Sequence, residues 1–184
     1  MKRVLIIVDM LNDFVIGKLN CKRSLSVITP IHKLLQRARL SHVPVIYAND
    51  EHHKQDVELK LWGNHAIKGT NGAQVISQLK PTSNDYIIPK RNYSAFFNTN
   101  LHPLLQKLKV DTLIVVGIYT DLCVAHTIGD AYQWGYKIII PKDATNTFTK
   151  QKYLASLKYF KENYNAQITT VDEIVKKDLT WNEN

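Results

Sequence analysis

Three ionisable side chains, each close to the end of an apolar run, could together carry out nucleophilic chemistry. They are Asp9, Lys90 and Cys123. A cysteine nucleophile needs a base that takes its proton, and an aspartate can act as that base. A lysine supplies positive charge that stabilises a thiolate and the oxyanion that develops during attack. The three residue types therefore predict acyl transfer: attack on an amide carbonyl, a thioester intermediate and hydrolysis of that thioester.

The position of Cys123 in the chain is the strongest of these signals. Residues 112–117 carry no charge and are rich in β-branched side chains, which is typical of a buried strand. Apolar residues then recur at helical spacing: Val124, Ile128, Ala131 and Tyr132. We expect Cys123 in the first turn of a helix capped by Thr120 or Asp121, where the positive helix end lowers the pKa of the thiol. The alternative is a buried structural cysteine, which is common in proteins.

Two aspartates near the first apolar run need separate interpretations. Asp9 directly follows residues 3–8, a nearly continuous apolar run that predicts a strand buried on both faces. A charge at the end of such a strand needs a partner, so Asp9 is a candidate functional residue. Asp13 is consistent with a simple cap or turn, and Lys90, taken alone, is more typical of a surface lysine.

A polar stretch after the second predicted strand holds another cluster, formed by Asp50, His52 and His65. Carboxylate and imidazole ligands suit Zn, Fe or Mn, and three protein ligands would leave coordination positions for water or substrate. His53 and Glu58 are further candidate ligands. The alternative is a lid of polar residues that binds no metal, and a loop of this length is typical of a functional lid.

The elements that would position these residues follow an alternation of strands and helices. Apolar runs predict six strands, at residues 3–8, 45–48, 86–88, 112–117, 137–141 and 166–171. Helical spacing predicts helices at 31–38, 101–108, 124–132 and 153–160, a short helix at 75–79, and a short helix with a polar tail at 172–184. The alternation predicts a three-layer α/β/α fold in which ligands bind at the carboxyl edge of a parallel sheet. We expect a single domain over residues 1–184.

The composition excludes several classes of protein. No apolar run is long enough to span a membrane, and the run at 4–8 ends at Asp9 without a cleavage site, so we expect a cytoplasmic protein with no membrane partner. The net charge of +8 comes from scattered basic residues, so we expect no nucleic-acid partner. Two cysteines are too few for a disulfide framework, and we interpret Cys21 as structural or incidental.

Three segments resemble the motifs of a known family. They are residues 8–14 (Val-Asp-Met-Leu-Asn-Asp-Phe), 90–96 (Lys-Arg-Asn-Tyr-Ser-Ala-Phe) and 117–124 (Gly-Ile-Tyr-Thr-Asp-Leu-Cys-Val). In this order they are similar to the isochorismatase-like cysteine hydrolases, a superfamily that includes nicotinamidases, N-carbamoylsarcosine amidases and isochorismatases. The resemblance extends over about residues 3–171.

The resemblance implies a fold, a site and a type of assembly. The implied sheet has six parallel strands in the order 3-2-1-4-5-6, and the implied catalytic triad is Asp9, Lys90 and Cys123. A cis peptide bond is implied between Ile118 and Tyr119, with the N–H groups of Tyr119 and Cys123 forming an oxyanion hole. The implied substrate is a small-molecule amide, and the implied assembly is a homo-oligomer, either a dimer or a tetramer.

The polar stretch strengthens the resemblance. Residues 50–52 (Asp-Glu-His) are similar to the Asp-x-His metal motif of nicotinamidases. Residues 62–65 (Trp-Gly-Asn-His) and 69–73 (Gly-Thr-Asn-Gly-Ala) are similar to their Trp-Pro-x-His and Gly-Thr-x-Gly-Ala segments. The implied cofactor is a divalent metal, with Zn first and Fe or Mn as alternatives. The implied ligands are Asp50, His52 and His65, with Glu58 as the candidate for a fourth.

Two aromatic residues indicate how a substrate would bind. Two differences from the family pattern bear on which substrate it would be. Phe14 and Trp62 would flank a flat ring and so bind substrate. The segment between His52 and His65 is shorter than in nicotinamidases, and Gly63 follows Trp62 in place of proline. This short lid is also similar to that of some N-carbamoylsarcosine amidase-like proteins.

The first functional hypothesis is therefore a metal-dependent amidohydrolase that converts nicotinamide to nicotinate and ammonia. The close alternative is an N-carbamoylsarcosine or ureido-type amidase. Isochorismatases are less similar, because they attack a vinyl ether and lack this metal cluster. A non-enzymatic interaction module on the same fold is the remaining alternative, and the presence of Asp9, Lys90 and Cys123 argues against it.

Overall fold

The computed structural model describes residues 2–177, and its centre is a parallel sheet in the order β3-β2-β1-β4-β5-β7. The strands are β1 (Arg3–Val8), β2 (Val45–Asp50), β3 (Tyr86–Lys90), β4 (Thr112–Ile118), β5 (Lys137–Pro141), β6 (Thr145–Asn146) and β7 (Gln167–Thr169). The short strand β6 lies off this path and pairs with β4. The predicted α/β class and sheet order are confirmed, apart from the number of the last strand, because β6 precedes that strand in the chain.

Helices cover both faces of the sheet. On one face lie α2 (Ile28–Leu40) and α7 (Val171–Lys177), and on the other lie α4 (Leu101–Lys107), α5 (Cys123–Gln133) and α6 (Lys150–Tyr164). Alternate residues of β1 enter the two cores, because side chains of a strand alternate between its faces. Leu5 and Ile7 pack on one side, and Val4 and Ile6 on the other. The loops after β1 and β2 contain the short helices α1 (Asn12–Val15) and α3 (Glu58–Trp62).

Two strands extend further than the sequence predicts and carry candidate site residues within them. β2 ends at Asp50 and not at residue 48, and β3 ends at Lys90 and not at residue 88. The register pairs Asp50 with Lys90. Pro89 does not stop β3, because β3 is an edge strand, where a missing N–H is tolerated. In contrast, β7 covers only Gln167–Thr169 of the predicted 166–171.

The predicted helix at 75–79 is wrong. The structure has two 3₁₀ turns instead, Asn71–Ala73 and Ser77–Leu79. Between them, Val75 forms an antiparallel bridge with Leu11 in the loop after β1. This pairing holds the backbone extended at a point where the apolar spacing alone indicates a helix.

The start of α5 differs from the prediction in its cap. The helix begins at Cys123 as predicted, but the N-cap residue is Leu122, which makes no side-chain capping hydrogen bond. The Thr120 hydroxyl pairs with a threonine of β6, and the carboxylate of Asp121 accepts a hydrogen bond from Thr147. Both predicted caps are therefore engaged with the segment after β5.

The structure describes only part of the segment at 172–184, for which the sequence predicts a short helix and a polar tail. Helix α7 occupies Val171–Lys177, and the predicted polar tail beyond it lies outside the described residues. Within residues 2–177, no helix combines the length and the apolar content that crossing a bilayer requires.

Gly117 lies where the backbone of β4 passes close to the end of β1. Its φ is +112°, a conformation that residues with a side chain rarely adopt, and its partner in β1 is Val8. A Cβ at this position would lie 2.0 Å from the carbonyl oxygen of Val8. Only glycine therefore allows β4 to pass this point on its way to Cys123.

We expect Gly117→Ala to lower the free energy of unfolding by about 3 kcal/mol or more, because a strained φ and a backbone clash add together. Gly135→Ala is the matched control, since Gly135 has a φ of +79° but a Cβ there would meet nothing within 4 Å. This control should lose only about 1 kcal/mol. Urea denaturation of both variants measures the difference. Equal losses would contradict the importance of the contact with β1.

Candidate active site

Four neighbouring strands bring ionisable side chains to one edge of the sheet. Asp9 follows β1, Asp50 and Lys90 end β2 and β3, and Cys123 begins the helix after β4. The Lys90 ammonium lies 2.7 Å from Asp9 Oδ2 and 2.5 Å from Asp50 Oδ1, and all three side chains are buried. The sulfur of Cys123 and one carboxylate oxygen from each aspartate lie within 4.8 Å of one another. The structure therefore brings together the three residues of the predicted triad.

Asp9 is held by the backbone as well as by Lys90. Its φ is 53°, in the left-handed region that residues other than glycine seldom adopt and that is often found at functional sites. The backbone N–H of Asp50 donates a 2.7 Å hydrogen bond to Asp9 Oδ1. Both carboxylate oxygens therefore have fixed partners, one from β2 and one from β3.

Burial and mutual charge set the protonation of this cluster. Burial, followed by the charge of Asp50, raises the pKa of Asp9 to about 6, and Lys90 offsets part of that rise. Burial alone would lower the pKa of Lys90, but the two carboxylates outweigh burial and hold that pKa well above its usual value. Asp9 is thus a carboxylate whose pKa suits a general base near neutral pH.

The expectation that the helix end lowers the pKa of the Cys123 thiol is not met in this structure. Burial raises the pKa of the Cys123 thiol well above its usual value, and the nearby Lys90 charge offsets only part of the effect. A sulfur that rests as a thiol needs a base during attack. The carboxylate of Asp9 lies in reach of it.

The backbone before Cys123 has the geometry that the family resemblance implies. The peptide bond between Ile118 and Tyr119 is cis. Cys123 is the first residue of α5, where backbone N–H groups have no partner within the helix. Outside the helices and strands of residues 2–177, neither the N–H of Tyr119 nor that of Cys123 donates a backbone hydrogen bond.

A second group lies beside the first and shares Asp50 with it. One ligand atom from each of four residues lies within 4.8 Å of the others, and the four are Asp50, His52, Glu58 and His65. His52 Nε2 is 3.5 Å from Asp50 Oδ2 and 3.9 Å from Glu58 Oε2. The three predicted ligands are therefore brought together, and Glu58 completes a group of four.

The two histidines are oriented as metal ligands usually are. His52 Nδ1 pairs with Asp56 Oδ2 at 3.1 Å, and His65 Nδ1 pairs with the carbonyl oxygen of Gly63 at 2.8 Å. Such bonds to Nδ1 leave Nε2 free to coordinate. Among the described residues, His52 Nε2 is a buried atom without a hydrogen-bond partner. Two imidazoles and two carboxylates in this arrangement fit Zn, Fe or Mn.

An aromatic cavity opens onto both groups. Its aromatic walls are Phe14, Trp62, Tyr93, Tyr119 and Phe148, and its polar lining includes Asp50, Glu58, His65 and Cys123. The Trp62 indole N–H donates to the Tyr93 hydroxyl at 2.8 Å, which fixes the indole in the wall.

A comparison with known protein families shows which family the chain belongs to. The model of the isochorismatase domain matches residues 3–173. The chain belongs to the isochorismatase family. The match extends from β1 into α7, so it includes every residue of the two groups described above.

The named relatives of this isochorismatase-family protein include two amidases and a probable inactive nicotinamidase. An N-carbamoylsarcosine amidase of Thermoplasma acidophilum has 35% identity and a TM-score of 0.89, over 94% of this chain and 98% of its own. The nicotinamidase/pyrazinamidase PncA of Bacillus subtilis has 31% identity and a TM-score of 0.88, over 92% and 100%. A probable inactive nicotinamidase of Arabidopsis thaliana is 31% identical, over 83% and 85%. These names support a hydrolase acting on C–N bonds.

Asp13 contributes more to the candidate site than the simple cap or turn that the sequence predicts. Its Oδ2 accepts a 2.9 Å hydrogen bond from the backbone N–H of Ala66, next to His65. A Cβ at Gly72 would lie 2.1 Å from the same oxygen. Asp13 therefore holds the segment that carries His65 against α1. The glycine at 72 is the sequence signal for this close packing.

We expect Lys90→Met to lower the free energy of unfolding by about 3–5 kcal/mol, because it leaves two buried carboxylates without their shared cation. Lys152→Met is the matched control, since Lys152 is an exposed lysine that pairs with one partly buried carboxylate, that of Asp121, at 3.4 Å. An exposed pair contributes less than about 1 kcal/mol. Urea denaturation of the chelator-treated protein at neutral pH measures both losses. Similar losses would contradict a special role for the buried cation.

Proposed function

We propose that this isochorismatase-family protein is a cysteine-dependent amidohydrolase, with nicotinamide as its first candidate substrate and nicotinate and ammonia as its products. The observation that supports the proposal most directly is that Asp9, Lys90 and Cys123 lie close together beside a small aromatic cavity. These are the base, the cation and the nucleophile that acyl transfer requires.

In the first half of the proposed reaction, Asp9 takes the thiol proton as the sulfur of Cys123 attacks the amide carbonyl carbon. The oxyanion accepts hydrogen bonds from the N–H groups of Tyr119 and Cys123. Asp9 then gives the proton to the leaving nitrogen, the C–N bond breaks, and ammonia departs from a thioester. Lys90 stays protonated throughout and keeps Asp9 ionised at the start.

In the second half, Asp9 takes a proton from a water molecule that attacks the thioester carbonyl. The C–S bond breaks, the sulfur recovers a proton through Asp9, and the carboxylic acid leaves. One water is consumed and one amide becomes one acid and one ammonia. A base with a pKa of about 6 can accept and return a proton in both halves near neutral pH.

The cavity walls support a planar aromatic amide as substrate. Phe14 and Trp62 both line the cavity, and aromatic side chains of this kind can stack on a flat ring. An N-carbamoyl or ureido compound is the second candidate, because the short segment between His52 and His65 and the 35% identity to an N-carbamoylsarcosine amidase favour it.

A divalent metal, with zinc as the first candidate and Fe or Mn as alternatives, is part of the proposal. Asp50, His52, Glu58 and His65 would hold it. A metal bound there would act as a Lewis acid that polarises a water molecule or a substrate atom.

Turnover by the Cys123→Ser variant tests the nucleophile. We expect it to release ammonia at least about 10³-fold more slowly than the wild type, because a triad acts as a unit. Cys21→Ser is the matched control, since Cys21 is the other buried cysteine, and it should keep wild-type activity within about threefold. The assay uses nicotinamide, pyrazinamide, N-carbamoylsarcosine and ureido compounds as substrates.

The substrate panel separates the two candidates. Turnover of a carbamoyl or ureido compound without turnover of nicotinamide would exclude the first substrate and support the second. A wild-type protein that turns over none of these amides would contradict the amidohydrolase proposal.

Zinc titration after chelator treatment tests the metal. We expect the wild type to bind about one equivalent. His65→Ala should weaken binding by more than about 100-fold, since even partners of metal ligands contribute 10–100-fold. His53→Ala is the control, because His53 is an exposed neighbour of His52 and should leave the affinity unchanged. Full hydrolase activity in metal-free protein would contradict a catalytic metal.

A further inference from the structure

Asp56 is a buried carboxylate outside both the triad and the group of four candidate ligands. It lies in the loop between β2 and α3, and its side chain is 4% exposed. It accepts hydrogen bonds from His52 Nδ1 at 3.1 Å and from the backbone N–H of His53 at 2.9 Å. Asp56 is thus in contact with a candidate metal ligand on the side away from the proposed metal.

Arg91 fixes this carboxylate from the opposite side. Its Nε lies 3.1 Å from Asp56 Oδ1 and 3.0 Å from Oδ2, and its Nη2 also donates to Oδ1. A guanidinium that uses two nitrogens on one carboxylate sets the plane of that carboxylate as well as its position. Arg91 directly follows Lys90, so consecutive residues at the end of β3 serve the triad and Asp56.

These contacts decide which ring nitrogen of His52 carries a proton. An ionised carboxylate can only accept, so His52 Nδ1 must donate to Asp56. The other nitrogen, Nε2, then faces Asp50 and Glu58 with a free lone pair when the ring is neutral. In His65, Nδ1 pairs with the backbone carbonyl oxygen of Gly63, so its Nε2 is left free without the help of another side chain.

We propose that Asp56, clamped by Arg91, is the positioning residue that orients His52 as a metal ligand. The inference rests on the metal site of the proposed function and adds two residues that do not touch the metal. It assigns a role to Arg91, whose side chain is 55% exposed and would otherwise be a surface arginine.

Asp56→Asn and Arg91→Gln test the proposal, with Asp85→Asn as the matched control. Asp85 is also a buried carboxylate paired with an arginine, since it accepts from Arg39 Nη2 at 2.5 Å, and its side chain is 3% exposed. It lies at the start of β3, away from the metal group. The control therefore removes a similar ion pair without touching His52.

Two measurements on chelator-treated full-length protein separate positioning from stability. The first is the zinc dissociation constant, by competition with a chromophoric chelator. The second is the visible absorption spectrum with Co²⁺ in place of zinc, which reports ligand geometry. We expect Asp56→Asn to weaken zinc binding about 10–100-fold and Arg91→Gln about 3–10-fold, both with an altered cobalt spectrum. Asp85→Asn should keep the wild-type spectrum and an affinity within about twofold.

Results that differ from these expectations would overturn different parts of the proposal. If the wild type binds zinc and Asp56→Asn leaves both the affinity and the cobalt spectrum unchanged, the positioning role is wrong while the metal site stands. Equal losses in Asp56→Asn and Asp85→Asn would also overturn it, because the effect would then be one of stability. If Asp56→Asn does not fold, an unchanged Arg91→Gln overturns the proposal. A wild type that binds no zinc overturns both this inference and the proposed metal site.

Discussion

The Lys90 ammonium, buried between two carboxylates, is the interaction on which the rest of the site depends. Asp9 belongs to the triad and Asp50 to the group of candidate metal ligands, and one cation lies within 2.7 Å of both. A buried carboxylate without a partner is strongly unfavourable, so each half of the site needs the same lysine. The proposed nucleophilic chemistry and the proposed metal binding would therefore depend on the charge of the same lysine.

The order of the strands makes this arrangement possible. β3, β2, β1 and β4 are consecutive neighbours, so their carboxyl ends deliver Lys90, Asp50, Asp9 and Cys123 to one edge in that order. Gly117 permits a close approach of β4 to β1 shortly before α5, the helix that begins at Cys123. The same crowding that brings the groups together also buries them. Burial in turn raises the pKa of the Cys123 thiol well above its usual value and that of Asp9 to about 6.

The proximity of the candidate site residues could be predicted from the sequence, because Asp9, Lys90 and Cys123 each lie near the end of an apolar run. Parallel strands bring such ends to a common edge. The protonation of Cys123 could not be predicted, because it depends on how completely the neighbouring elements exclude water. Asp56 was missed for another reason. Its contact with His52 depends on the path of an aperiodic loop, which no repeating pattern in the sequence encodes.

The central claim is that the sulfur of Cys123 accepts the acyl group of a small amide. Acid quenching of the protein during turnover of its best amide substrate, followed by mass spectrometry of the peptides, tests this claim directly. We expect the acyl group on the peptide that contains Cys123, and we expect it to disappear as the acid product forms. Product formation with no acylated Cys123 at any quench time, or with the acyl group on another residue, would contradict the account.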